Sequence, residues 1–229
     1  MPPQDLTLIL AAAGTSMGIG RNGTLPWTGL KKEMAYFARV TKRLPRHPVS
    51  SVSSGPTTTT TTAKNAVIMG RKTWDSIPEK YRPLAGRLNV VISRSANGGI
   101  GNAPEVREKG DVWVSSLEKA VEFLGEKERR GEVGRVFVIG GGQVYGEAVR
   151  SGLGRRVLLT RIEGEGDKWG CDTFFEERLV EDGSGSGKGG RWVRREQEEM
   201  DEFVGEEVPR GRQEENGTGY EFEMWERVD

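Results

Sequence analysis

Glu33 is the residue whose position most asks for a chemical reason. Counting from Leu30, the i+3, i+4 and i+7 places of a helical pattern are Glu33, Met34 and Phe37, so a carboxylate shares the face that should be apolar. An acid in that slot either snorkels to water as a boundary residue or loses its hydration. In the second case its proton affinity rises, and it can bind and protonate a ligand near neutral pH. His47 is the only histidine and stands in a proline-flanked stretch, so a Ser/His/Asp triad would depend on that one residue.

Two further clusters suit phosphate. Gly70-Arg71-Lys72-Thr73 follows the apolar run Val67-Ile68-Met69 and opens a helical segment. Backbone N–H groups, a hydroxyl and two cations there can bind an anion, and a solvated charge pair is the bland alternative. It is not a Walker A loop, because Asn65 stands where the earlier glycine is required. Ser93-Arg94-Ser95 ends the next apolar run in the same way. Two basic strand ends in successive units fit a nucleotide with an additional phosphate, as NADP has over NAD.

Glycine marks two more places. Gly140-Gly141-Gly142 ends the run Val136 to Ile139 and precedes a helical pattern through Gln143, Val144 and Ala148, which permits close approach of a ligand to the backbone. Gly18-Ile19-Gly20-Arg21-Asn22-Gly23 has the letters of a dinucleotide fingerprint. However, Thr24-Leu25-Pro26-Trp27 follows, and the proline interrupts the helix that such a fingerprint needs. A flexible loop between strand and helix is the better reading.

The elements that must position these groups alternate. Strand-like runs lie at Leu6 to Ala13, Ala66 to Met69, Leu88 to Ser93, Val112 to Val114, Val136 to Ile139, Val157 to Ile162, Trp192 to Met200 and Tyr220 to Trp225. Helical patterns lie at Leu30 to Thr41, Arg71 to Ser76, Ser116 to Arg129 and Gln143 to Val149. The expected fold is α/β: one domain over residues 1–229, an eight-stranded, mixed, mainly parallel sheet with a C-terminal antiparallel edge strand, and about four helices. Polar or low-complexity stretches near residues 41–63, 182–190 and 205–219 read as surface insertions.

Composition excludes several classes. Across 229 residues, 34 Lys+Arg balance 34 Asp+Glu, so no global positive field draws nucleic acid or an anionic membrane. No run is long enough for a membrane span, and Leu6 to Ala13 reads as a buried first strand in preference to a signal peptide. Cys171 is the only cysteine, which excludes an intramolecular disulfide and a multi-cysteine metal cluster and is compatible with a reducing compartment.

Taken together, Met17 to Trp27 with Glu33 six residues on, Val67 to Trp74, Pro83-Leu84 with Arg87, Val138 to Gly141 with Tyr145, and Asp172-Thr173-Phe174-Phe175 resemble the dihydrofolate reductase family, in order and in spacing. The resemblance spans the chain apart from the three polar stretches and is closest to eukaryotic, fungal-flavoured members. It implies a dihydrofolate reductase-like fold and NADPH-dependent reduction of 7,8-dihydrofolate to tetrahydrofolate, within one-carbon and thymidylate metabolism. Glu33 then binds the 2-amino and N3 side of the pterin and assists protonation of N5 through water, while hydride goes from nicotinamide to C6.

By the same resemblance, Leu10, Ala11, Met34, Phe37, Ile77, Leu84 and Ile139 line the substrate pocket, Arg87 pairs with the α-carboxylate of the glutamate tail, and Thr160 lies beside Glu33. Ala12, Gly18, Ile19, Gly20, Gly23, Thr24 and Tyr145 lie at the nicotinamide end. Gly70, Arg71, Lys72, Thr73, Ser93, Arg94 and Ser95 take the adenosine phosphate and pyrophosphate, and Ile139, Gly140, Gly141, Gly142, Gln143, Val144 and Tyr145 form the glycine-rich turn, with a cis peptide at Gly140-Gly141. Met17 to Leu25 would be the segment that closes over the nicotinamide.

The resemblance further implies antifolate binding, a cytoplasmic location, a monomer, no metal, and no need for nucleic acid or a membrane. The sequence departs from it at Met34, where vertebrate members have an aromatic residue, at Ser115, where a basic residue is usual, at Gly142-Gln143 and at Thr24. Two other readings are a riboflavin-pathway reductase on the same fold, opposed by Leu25-Pro26-Trp27 with Glu33, and a non-catalytic binding module, opposed by the neutral charge and the intact Glu33.

Overall fold

The computed structural model describes residues 5–45, 63–95, 103–179 and 191–228. His47, most of the 41–63 stretch and all of 182–190 lie outside them. Among the described residues the strands are β1 (Leu6–Ala13), β2 (Gly18–Gly20), β3 (Lys64–Gly70), β4 (Leu88–Ile92), β5 (Glu105–Val106), β6 (Val112–Val114), β7 (Val133–Val138), β8 (Gly154–Ile162), β9 (Thr173–Phe174), β10 (Trp192–Arg194), β11 (Gln213–Glu215) and β12 (Thr218–Arg227). The helices are α1 (Lys31–Lys42), α2 (Arg71–Ser76), α3 (Leu117–Arg129), α4 (Gly142–Arg150) and α5 (Gln197–Val204), with one 3-10 turn at Glu79–Tyr81.

All twelve strands join one sheet, whose main order is β10-β12-β8-β1-β7-β3-β4-β6-β5. The six from β8 to β6 run parallel, and antiparallel pairing is confined to the two ends and to short strands branching from β1 and β12. The run Leu6 to Ala13 is apolar throughout because β1 is central and covered on both faces. Alternation sends Leu6, Leu8, Leu10 and Ala12 into a core shared with Leu117, Ala120 and Leu124 of α3 and Val144, Ala148 and Val149 of α4. Ile9 and Ala13 enter a second core with Leu30, Tyr36 and Val40, Trp74 of α2, and Met200 and Val204 of α5.

The sheet has twelve strands where eight were expected, because β2, β5, β9 and β11 have only two or three residues and carry no readable period. The fifth helix is a second correction. The run Trp192 to Met200 splits into β10 and α5, whose first turn is fixed by Glu199 accepting the Glu196 N–H at 3.1 Å, and which ends at Gly205 with φ 76°. A third concerns β12, which lies between β8 and β10 and is therefore internal, leaving β10 at the edge.

The 205–219 stretch is not simply a surface insertion. It contains β11, which pairs with β12 across Asn216-Gly217, both at positive φ, as a two-residue hairpin turn requires.

Helix α3 starts on a side-chain cap, with Ser116 Oγ accepting the Lys119 N–H at 3.3 Å. Ser116→Ala is expected to cost about 1 kcal/mol, read as a lower urea midpoint at unchanged m-value.

Candidate active site

The first turn of α1 has no side-chain cap of its own. Glu215, at the end of β11, supplies one from 182 residues away: both its oxygens accept the Lys32 N–H at 3.0 Å, and Oε1 accepts the Glu33 N–H at 3.3 Å. Tyr220 Oη donates to the same carboxylate at 2.7 Å, and Asn216 Nδ2 donates to the Gly29 carbonyl at 2.7 Å. The hairpin thereby clamps the entry to the helix.

Glu33 is buried at 7% exposure on the inner face of α1, together with Tyr36 and Val40. Its Oε1 accepts a hydrogen bond from Thr160 Oγ1 at 3.2 Å. Burial is the main cause that pushes its pKa up to about 7, the Thr160 bond opposes the shift, and the charge of Glu215 adds to it.

The expected pocket residues then divide. Ala11, Phe37, Ile77, Leu84 and Ile139 are brought together, partly buried against the core on the α1 side. Thr160 is the register partner of Ala11 across β1 and β8. Leu10 is not brought there, since alternation places its side chain in the opposite core, and the side chain of Ala12, expected at the nicotinamide end, lies in that same core. Met34 is 52% exposed, about 100° around the helix from Glu33, so it is an edge residue and not part of the buried stripe.

Arg87 marks the other end of α1. Its Nη1 donates to Thr41 Oγ1 at 2.8 Å and its Nε to the Ala85 carbonyl at 3.2 Å. Its guanidinium lies 6.0 Å from the Phe37 ring centroid. It has no ion-pair partner among the described residues, and burial pushes its pKa down. Asn89, itself buried, fixes the approach by bonding Leu84 N–H, Leu84 C=O and Arg87 C=O at 2.9, 3.0 and 2.9 Å. Glu33 and Thr41 are eight residues apart, about 12 Å along the helix. This side of α1 therefore offers a carboxyl at one end, a guanidinium at the other, and an apolar wall between.

The glycine-rich turn lies at the carboxyl end of β7, between the ends of β1 and β3. The Gly140-Gly141 peptide is cis, as expected, and the Gly70 N–H donates to the Gly140 carbonyl at 2.8 Å. Helices α2 and α4 thus start side by side, with Gly70 and Gly141 at their N-caps and no side-chain cap on either. A Cβ on Gly140 or Gly141 would meet Thr73 Oγ1 at 3.3 Å, so both glycines let the turn pack closely against the start of α2. Arg71 and Lys72 are exposed beside it. Ser93 is buried with its Oγ 2.9 Å from that of Ser95, and Arg94 is exposed. This donor set fits a phosphate-bearing dinucleotide. Gly70 also lies against Val144, Gln143 is exposed, and Tyr145 donates its hydroxyl to the Ile9 carbonyl at 2.8 Å, joining α4 to β1.

The loop after β1 contains regular structure that its glycines did not announce. Gly18 to Gly20 forms β2, paired with β1 and β9, and a Cβ on Gly18 would lie 2.5 Å from Cys171 Sγ. These glycines allow close packing within the protein, while Ile19 packs partly buried on the core. Arg21 and Thr24 exchange both backbone hydrogen bonds around Asn22-Gly23, a second Asn-Gly turn with both φ positive.

Partners not foreseen from the sequence hold this loop. Asp172 accepts the Asn22 N–H at 2.7 Å, Glu165 accepts the Thr15 and Ser16 N–H groups at 3.2 and 2.9 Å, and Arg161 donates to the Gly14 carbonyl at 3.0 Å. Arg161 is itself held by buried Glu223 at 2.7 and 2.9 Å. Trp27 Nε1 is buried without a hydrogen-bond partner among the described residues.

A mainly parallel sheet with a buried acid, an apolar wall and two glycine-capped helix starts at its carboxyl edge defines an α/β protein of the enzyme kind. The family model described as dihydrofolate reductase matches residues 57–182. Dihydrofolate reductase of Pneumocystis carinii is 39% identical over 98% of this chain and 97% of its own, and that of Candida albicans is 32% identical over 99% and 100%. The solved structure of Schistosoma mansoni dihydrofolate reductase superposes with a TM-score of 0.67 at 30% identity, covering 98% of this chain and 99% of that one. The chain belongs to the dihydrofolate reductase family, a family of oxidoreductases.

Proposed function

We propose that this protein reduces 7,8-dihydrofolate to 5,6,7,8-tetrahydrofolate with NADPH, serving one-carbon and thymidylate metabolism as a cytoplasmic monomer of one domain. One observation carries the reading: the buried Glu33 in the first turn of α1 and the half-buried Arg87, bonded to Thr41 about 12 Å further along the helix and without an ion-pair partner among the described residues, flank Phe37. Dihydrofolate has a matching layout, with a pterin at one end, an aminobenzoyl ring in the middle and a glutamate carboxylate at the other.

Glu33 receives the 2-amino and N3 side of the pterin, and its raised proton affinity lets it hold, near neutral pH, the proton destined for N5. Thr160 orients the carboxyl, and Ala11, Ile77, Leu84 and Ile139 exclude water from the ring. Arg87 takes the α-carboxylate in a two-pronged contact. An antifolate with a basic diamino heterocycle would pair with ionised Glu33 at the same place.

The Gly140 to Gly142 turn and the α2 and α4 starts would hold the pyrophosphate, with Gly23 and Thr24 in the covering loop. Arg71, Lys72, Thr73, Ser93, Arg94 and Ser95 would hold the adenosine phosphate. When bound, the reduced nicotinamide supplies the hydride for C6.

The test is steady-state turnover of dihydrofolate with NADPH and, in parallel, NADH. NADPH is expected to be strongly preferred, and Arg71→Ala or Arg94→Ala to raise its KM roughly tenfold while leaving the KM for NADH unchanged. Equal use of the two cofactors by the unmodified protein would remove the phosphate role from these arginines.

A further inference from the structure

Glu33 occupies the first turn of α1, the end of a helix where backbone N–H groups and the macrodipole favour an anion. Left to itself this environment would stabilise the ionised carboxylate and work against a group that has to keep its proton near neutrality. The structure places a second acid at that helix end. Glu215 takes the N–H groups of Lys32 and Glu33, is held by the Tyr220 hydroxyl, and belongs to a hairpin whose Asn216 bonds Gly29 immediately before the helix. Glu215 thus accepts from three donors, and with the Asn216 bond its hairpin is fixed against the start of α1.

We propose that Glu215 is a positioning residue for the proton chemistry of Glu33: it occupies the N–H donors of the helix start and keeps a fixed negative charge beside the buried carboxyl, so that Glu33 retains its proton. The other groups that face Glu33 are Thr160 on β8, which donates to it, and the hydroxyls of Tyr36 on α1, Tyr145 on α4 and Tyr220 on β12, which sense its charge. None is a cation. Lys32, next in sequence, is exposed and pairs electrostatically with Glu215. Among these groups Glu215 is the carboxylate, and its charge acts on Glu33 in the raising direction. Desolvation works to raise the Glu215 pKa, but the Lys32 N–H, Tyr220, the Glu33 N–H and the charge of Lys32 together outweigh it and hold it below the ordinary value, so Glu215 stays charged over the range in which Glu33 titrates.

The inference rests on the reading of Glu33 as the proton-holding group. It is tested on the full chain by carbon-13 NMR titration of the Glu33 carboxyl, assigned by its loss in Glu33→Gln, alongside the pH profile of dihydrofolate turnover. Glu215→Gln, which keeps an acceptor but removes the charge, is expected to lower the Glu33 midpoint by roughly half to one pH unit and to move the alkaline limb of the profile equally. Glu215→Asp is expected to restore most of the shift. Tyr220→Phe, which keeps the charge but frees the carboxylate, is expected to lower the midpoint by less.

An unmoved midpoint in Glu215→Gln, or an Asp variant indistinguishable from the Gln variant, overturns the proposal. If Glu215→Gln does not fold, Glu215→Ala is read in its place, and an unmoved Glu33 midpoint there overturns the proposal. The titration is read on the carboxyl itself, so a protein that fails to turn over dihydrofolate would refute the proposed reaction without deciding the role of Glu215.

Discussion

Glu33→Gln is expected to lower dihydrofolate turnover at pH 7 by about 10²- to 10³-fold while leaving NADPH affinity within a few fold. The amide fills the same space and can still accept from Thr160, but it has no proton to give. In the unmodified protein the proton-bearing form prevails below the Glu33 pKa of about 7, so turnover is expected to fall as pH rises through that value. Full activity in the variant would place the proton path elsewhere.

The same substitution also predicts a change in stability, and the sign follows from linkage. A carboxyl whose folded pKa, about 7, exceeds its ordinary 4.5 binds more proton when folded, so the unmodified protein loses stability as pH rises from about 4.5 to 7 and stays level above. That span corresponds to about 3 kcal/mol, and it is absent from Glu33→Gln. Urea unfolding at pH 4 and pH 8 is expected to show the two proteins diverging by that order, the variant becoming relatively more stable at the higher pH. A stable variant with little activity would mean that the buried acid serves function at the expense of the fold.

Arg87→Lys is expected to raise the KM for dihydrofolate about 100-fold with kcat changed by less than a few fold. A point ammonium cannot make the paired contact of a guanidinium, and the carboxylate it serves lies at the far end of the substrate from the reacting atoms. A dihydropterin without the glutamate tail supplies the control: its kinetics should be the same in both proteins. A KM for dihydrofolate that did not move would assign Arg87 to structure, through Thr41 and the Phe37 ring.

The site was legible wherever it rested on local pattern. The out-of-place Glu33 followed from helical spacing alone, and the glycine turn and the two basic strand ends from their place after apolar runs. The apolar strands and most helix bounds were visible for the same reason: β1, β6 and α2 match the expected ranges. The short apolar run of β6 was still readable, but β2, β5, β9 and β11 have two or three glycine-containing, polar or mixed residues with neither an apolar run nor a period, so they were not visible. The run at Trp192 concealed α5, because its apolar residues continue past β10 and mask the Glu196-to-Glu199 spacing that starts the helix.

Long-range polar contacts left no signal at all. Glu215 meets α1 across 182 residues, Arg87 meets Thr41 across 46, and nothing in the spacing of either pair announces it. Asn216-Gly217 did carry a hairpin signal, but the polar residues around it read as an insertion. Which side of β1 each residue faces needed the sheet to settle it, and this is why Leu10 and Ala12 turned away from the cleft while Ala11 did not.

The most direct test of the account is loss of reduced-nicotinamide absorbance when purified protein is mixed with NADPH and 7,8-dihydrofolate, with the product identified chromatographically. One tetrahydrofolate formed per NADPH consumed is the predicted result. NADPH that binds but is not consumed, or is consumed only when a different heterocycle replaces dihydrofolate, would contradict it.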